Sequence, residues 1–249
     1  MKMAPLTQYL TYQLYNAIQL TPKLSDESDI EHLHQFRVSI RRSRSLLKLY
    51  MPHCYALQEV MREIVQQTNP LRELDVFIAS VDPGAYPKLR RLLNRYRKEQ
   101  FETIMGATFH SDTVTVLRQL HAAVCDLNPE IETATLIETA EHHFQECLDD
   151  YRKVTKKSSD KALHKLRIRF KIARYALEFL SHSGLHNEQV KIKECKAVQD
   201  HLGALQDASN QFELLSHFCE VHPIKECRML LHERQAELKR LKSLTVSNR

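Results

Sequence analysis

The chain is 249 residues long with a formal net charge of +5, from 36 Lys and Arg against 31 Asp and Glu, and a chain of that length can bury a full core, as one large domain or two small ones. Only 4 glycines, no tryptophan and an abundance of Leu, Glu, Lys, Arg and Gln favour helix throughout, and no stretch approaches the roughly 18 apolar residues of a membrane span. The six cysteines show neither a C-x-x-C pair nor a zinc spacing, so they read as small core or surface residues in a reducing cytosol, and the N-terminus, MKMAPLTQYLTYQLYNAI, lacks the continuous apolar run of a signal peptide.

Leu6–Leu20 has the spacing of an amphipathic helix and ends at Thr21-Pro22. Ser25–Asp29 offers cap residues and acidic charge to the start of the next helix, where the helix dipole favours them. That helix carries His34–Tyr50, HQFRVSIRRSRSLLKLY, and stops at Pro52. Tyr55–Thr68 predicts a third helix, Asn69-Pro70 a break, Leu71–Val81 a resumption, and Asp82-Pro83-Gly84 a turn. Tyr86–Thr108 predicts a long basic helix, with Lys88, Arg91 and Arg95 on a face expected to be exposed, and Asp112–Cys125 another. Asp126–Glu132, DLNPEIE, is the predicted boundary between two halves, approximately 1–126 and 133–249, of a single 1–249 domain. In the second half Thr135–Val154 mirrors the first helix, and Ser158-Ser159-Asp160 caps a helix carrying His164–Leu180, HKLRIRFKIARYALEFL. Asn187–Leu202, Leu205–Glu220 and Pro223–Leu244 follow as three helices, and no β-alternation is evident anywhere.

The stretches starting at His34 and His164 are copies of each other at an ungapped offset of 130 (164 − 34), and internal repetition of this kind fixes architecture before any site is argued. His34 matches His164, Arg37 matches Arg167, Arg41 matches Lys171 and Arg44 matches Arg174; Lys48 is answered by Glu178. At 100° per residue His34, Arg37, Arg41, Arg44 and Lys48 fall within an arc of roughly 80°. Phe36, Ile40 and Leu47 lie on one side of this stripe and Val38 and Leu49 on the other, which leaves Gln35, Ser39, Arg42 and Ser43 for the outward arc. No Asp or Glu lies between Glu31 and Glu59, or between Asp160 and Glu178. A solvated charged face normally mixes signs. Two like charges about 8 Å apart repel by roughly 2 kcal/mol at an effective dielectric of 20, so unmixed stripes point to a polyanion. A second repeated signal has an offset of 134 (205 − 71): Leu71-Arg72-Glu73 matches Leu205-Gln206-Asp207, and Arg62 matches Lys196. A break followed by an acid suggests a carboxylate that caps a helix or orients a cation.

These residues resemble the CHAD domain, the conserved histidine α-helical domain. Its hallmark is two helices reading His-x-x-Arg-[Val/Ile]-x-x-[Arg/Lys]-x-x-Arg, each followed by Leu-Gly-x-x-[Arg/Asn]-Asp. His34–Arg44, His164–Arg174 and Leu202–Asp207 fit, whereas the first-half counterpart has Asn69-Pro70 for the Leu-Gly start and Glu73 for Asp. The resemblance spans about Leu6 to Leu244. It implies an all-α fold of two four-helix bundles related by internal pseudo-twofold symmetry, with a basic groove or pore between them, and binding of inorganic polyphosphate without catalysis by the domain. Some relatives carry a fused tunnel-type triphosphatase marked by Glu-x-Glu-x-Lys; the sequence has neither that motif nor room for that domain.

The expected site has His34, Arg37, Arg41, Arg44, Lys48, His164, Arg167, Lys171 and Arg174 as its ligands, with Arg42, Arg62, Arg95, Lys165 and Lys196 as a second tier. Guanidinium groups give planar bidentate contacts to phosphate oxygens and lysines act as point charges. Histidines among cations are expected to gain protons when phosphate arrives, so binding should tighten as pH falls from about 7.5 to 6. No cofactor and no metal are expected, the cytoplasm is the expected location, with polyphosphate granules as a candidate place in it, and no membrane contact is expected. The rivals are a nucleic-acid binder, disfavoured because the aromatics of the repeats sit at apolar slots, and a phosphate-ester or anhydride hydrolase, for which Glu73, Asp75 and Asp207 are too few and scattered.

Overall fold

The computed structural model describes residues 3–27, 29–155 and 158–244. The described residues form ten α-helices and one 3-10 turn (Thr21–Ser25) and no strand. The helices are α1 (Pro5–Leu20), α2 (Ile30–Tyr50), α3 (Tyr55–Gln67), α4 (Asn69–Ala79), α5 (Pro87–Ile104), α6 (Phe109–Leu127), α7 (Thr133–Arg152), α8 (Asp160–His182), α9 (Gln189–Val221) and α10 (Lys225–Leu244). None is long and apolar enough to cross a membrane.

The two repeat helices begin where their caps dictate. Asp29 accepts from the Glu31 and His32 N–H groups at the start of α2, and Ser159 accepts from Ala162 at the start of α8, which satisfies donors that a helix leaves unpaired in its first turn. Proline stands first in α1 and α5 and second in α4, within the first turn where no N–H is needed.

α2 packs on α1, α3 and α4, α8 packs on α7 and α9, and α2 and α8 pack on each other. The apolar interior falls into two clusters, and each mixes both halves of the chain. The larger joins Leu10, Phe36, Ile40 and Leu120 to Phe144, Phe170, Phe179 and Cys195; the smaller joins Phe77 and Leu89 to Leu215, Phe218 and Leu230. At the predicted boundary Asn128 turns the chain at φ 21° and its side chain accepts the Ala4 N–H at 2.8 Å, while the Tyr50 hydroxyl donates to the Leu136 carbonyl at 3.1 Å. Asp75, its side chain wholly buried, accepts from Arg97 Nε at 2.6 Å, and Arg97 Nη1 donates to the Glu27 carbonyl at 2.8 Å. This buried pair ties α4 and α5 to the segment before α2.

Two expectations are corrected. The predicted break after Leu202 does not exist, because α9 runs uninterrupted through Gly203 to Val221; the glycine that suggested a terminus is there for a close approach described below. Ser39 and Ser43 are buried, not outward. Small hydroxyl residues let a neighbouring helix come near, and Ser43 satisfies itself by donating to the Ser39 carbonyl at 3.2 Å.

Candidate anion-binding site

Arg37 lies on the edge of the buried face of α2 and is only 3% exposed. Its Nη1 donates to the Val65 carbonyl at 2.6 Å and to Thr68 Oγ1 at 2.5 Å, and its Nη2 donates to Asn69 Oδ1 at 2.6 Å. The guanidinium thus bridges the end of α3 to the start of α4. Burial, then Arg41 and Arg72, push its pKa down to about 9, and it remains a cation at neutral pH. Its repeat partner Arg167 makes the corresponding contact on α9. A Cβ on Gly203 would stand 2.8 Å from Arg167 Nη2 and 3.0 Å from Nε, so glycine is what lets the guanidinium lie against the helix backbone. Arg167 Nη2 also meets Asp207 Oδ2 at 3.3 Å. The carboxylate expected to orient a cation therefore does so in the second half.

Around this pair gather cations without protein counterions. Arg41, Arg72 and Lys171 have no hydrogen-bonding or ion-pair partner among the described residues. Arg37, Arg41, Asn69, Arg72, Glu73, Asp207, Asn210 and Gln211 line one cleft of about 150 Å³ between α2, α4 and α9. Arg41 is exposed to solvent in this walled cleft, and burial together with Arg72, Arg167 and Arg44 lowers its pKa against an opposing pull from Tyr175. Burial first, then Arg167 and Arg41, push the half-buried Lys171 down to about 8. His34 is lowered by burial and by Arg72, Arg41 and Arg37 against Glu31. In each shift burial is the largest cause and neighbouring cations add to it, against a smaller opposing pull from Asp207 on Lys171 and from Glu73 and Asp75 on Arg37.

The stripes do not stay together along their whole length. Arg44 turns towards α3, where Arg62 is already held by Glu59 at 2.5 Å. Lys48 is exposed one turn further on. In the second copy Arg174 meets Glu178 at 3.5 Å and lies 5.0 Å from the Tyr175 ring centroid; Arg42 meets the same carboxylate at 3.0 Å. The expectation that the stripe charges lack carboxylate partners is thus corrected for Arg167 and Arg174, and Arg42 and Arg62 of the second tier are paired as well. His164, Lys165 and Lys196 are exposed on α8 and α9, and Lys88, Arg91 and Arg95 are exposed on α5, none of them lining the cleft. Sequence reasoning missed Arg72. It stands at the Arg/Asn position of the Leu-Gly-x-x-[Arg/Asn]-Asp pattern, so the signal was present.

One group of three metal-capable side chains occurs among the described residues, Glu141, His186 and Glu188. Lys191 Nζ lies 2.8 Å from Glu141 and 3.0 Å from Glu188, so an ammonium already holds those carboxylates.

The family model of the CHAD domain matches residues 8–216, most of the chain. The chain belongs to the CHAD domain family. Among solved structures it is similar to the CHAD domain from the plant Ricinus communis, with a TM-score of 0.74 at 22% identity over 97% of this chain and 86% of that one. It is also similar to PptA from Streptomyces chartreusis, with a TM-score of 0.68 at 14% identity over 97% of this chain and 96% of that one. At these identities the likeness is one of fold, and this CHAD chain shares the all-helical architecture of both. The search of curated proteins found no match.

Proposed function

We propose that this CHAD protein binds inorganic polyphosphate, or another phosphate-rich chain, without catalysis, at the cleft between α2, α4 and α9 and the neighbouring cations of α8. The observation that carries the reading is the cluster of Arg41, Arg72 and Lys171, in which Arg72 repels Arg41 and Arg41 repels Lys171 and no carboxylate forms an ion pair with any of the three among the described residues, next to Arg167, whose partner Asp207 is half exposed and can yield to a stronger anion. Arg37 and Gly203 act as scaffold: one fixes the α3–α4 joint, the other admits the Arg167 guanidinium. The matched contacts of Arg37 at Asn69 and Arg167 at Gly203, one repeat apart, support two pseudo-twofold-related bundles with a basic groove between them. Binding without hydrolysis is supported by the fate of the acids, since Asp75 is buried on Arg97 and Asp207 sits on Arg167, which leaves Glu73 short of a two-carboxylate clamp. We place the protein in the cytoplasm, where polyphosphate granules would supply the ligand.

Calorimetry with polyphosphates of several lengths tests this. With four cations neutralising phosphates, log affinity should fall with log salt at a slope of about −3, from roughly −0.7 per contact. A slope near zero, or displacement of polyphosphate by equimolar RNA, overturns the reading.

The titration of Lys171 gives a second expected outcome. Bound phosphate favours the ammonium, so its pKa rises on binding from about 8 in the free protein. Lys171 should therefore make affinity fall as pH rises above that value and add no pH dependence below it, with proton uptake in buffers of different ionisation enthalpy. Lys171→Arg should flatten this alkaline limb. His34, lowered by burial and neighbouring cations in the free protein, acts in the same sense at lower pH, with affinity rising as pH drops; His34→Gln should remove that limb alone.

A further inference from the structure

A second cavity, of about 610 Å³, opens between α1, α2 and α8 and is separate from the basic cleft, with which it shares no lining residue. Its wall contains polar groups that the protein leaves unsatisfied. Gln13 is 4% exposed and Ser39 6% exposed, and neither side chain has a hydrogen-bond partner among the described residues. Arg42 Nε is buried and equally without one. The Gln13 amide and the Ser39 hydroxyl, unpaired in the protein and standing in the cavity wall, offer a ligand several donors and acceptors. Glu178, held by Arg42 and Arg174, adds an acceptor to the same wall. The Tyr9 hydroxyl, pushed up to about 12 by burial, stays protonated and can donate.

The mouth is aromatic. Tyr12, 49% exposed, stacks on His182 with ring centroids 5.6 Å apart and planes 23° from parallel. Lys23 stands exposed on the rim with no partner among the described residues. The lining carries two cations, Arg42 and Lys23, against the one carboxylate of Glu178, which suits a small anion of low charge and not a polyphosphate chain. A fixed amide that both donates and accepts is what reads the edge of a heterocyclic base, and an exposed ring is a stacking platform for its face.

We propose that this cavity is a binding site for a nucleoside monophosphate, the base edge meeting Gln13, Ser39 and Glu178, the base face on Tyr12, and the phosphate at Lys23. The site stands independently of polyphosphate binding. The test is ligand-observed NMR and calorimetry on the full chain with AMP, GMP, CMP and UMP, beside ribose 5-phosphate and inorganic phosphate. At least one of the four should saturate, with affinity about tenfold above that of ribose 5-phosphate. Tyr12→Ala, an exposed change that leaves the core intact, and Gln13→Leu should each weaken it about tenfold, whereas Arg41→Ala should leave it unchanged. Saturation by none of the four, equal binding of inorganic phosphate, or loss of binding in Arg41→Ala but not in Tyr12→Ala overturns the proposal; the last outcome would move the nucleotide to the basic cleft.

Discussion

Replacing Arg41 and Lys171 together by alanine is expected to weaken polyphosphate binding by at least about 100-fold without lowering the melting temperature. A hydrogen bond to a charged group is worth about 1.5–3 kcal/mol, so two lost contacts amount to about two decades or more at 1.4 kcal/mol per tenfold. Stability should not suffer, because neither side chain has a partner in the protein and both are pushed towards neutrality by their surroundings. Removing their charge relieves Arg72 and Arg167, which offsets the lost contacts of the Lys171 stem. Calorimetry for affinity and differential scanning calorimetry for stability decide it together. Affinity kept within threefold would put the ligand elsewhere, and a parallel fall in melting temperature would make the two residues structural.

Arg37→Ala should do the reverse and cost about 3 kcal/mol or more of stability, the class of effect seen when a buried charged hydrogen-bond network loses its centre. The loss strands the Asn69 side chain and removes the charged donor from the Val65 carbonyl and from Thr68, at a joint where both helices end. For a chain of this size each kcal/mol moves the melting point by about 2–4 °C, so a drop of about 6–12 °C is expected in a thermal melt followed by circular dichroism. Arg37→Lys should recover only part of it, because an ammonium cannot present the planar fork that reaches three acceptors at once. A melt unchanged in Arg37→Ala would return this residue to the ligand set. Because of this scaffold role, Arg41 and Lys171 isolate the binding term better than Arg37 and Arg167 do.

The contrast between Arg37 and Arg41 shows what could be read in advance. They lie four residues apart on one stripe, and the helical period places them together correctly. It does not say that one meets Val65, Thr68 and Asn69, about thirty residues on, while the other meets none of them. Glu178 is a similar case. In the repeat alignment it stands where the first copy has Lys48; in three dimensions its carboxylate, reached across 136 positions by Arg42, neutralises cations of both copies. Gly203 misled for the same reason, since a helix-breaking residue in the sequence turned out to be a gap kept open for Arg167.

The sequence by itself determined the helical content, the duplication, the capped starts of α2 and α8 and the identity of the cations, because these depend on spacing within a single segment, where 3.6 residues per turn is a sufficient guide. Only the tertiary structure decided which of those cations are left without a counterion, that Arg72 joins them, that α9 continues without a break and that Ser39 and Ser43 turn inward. Each of these depends on which distant helix lies against the stripe, and charge–charge energies fall off with distance in space, not along the chain.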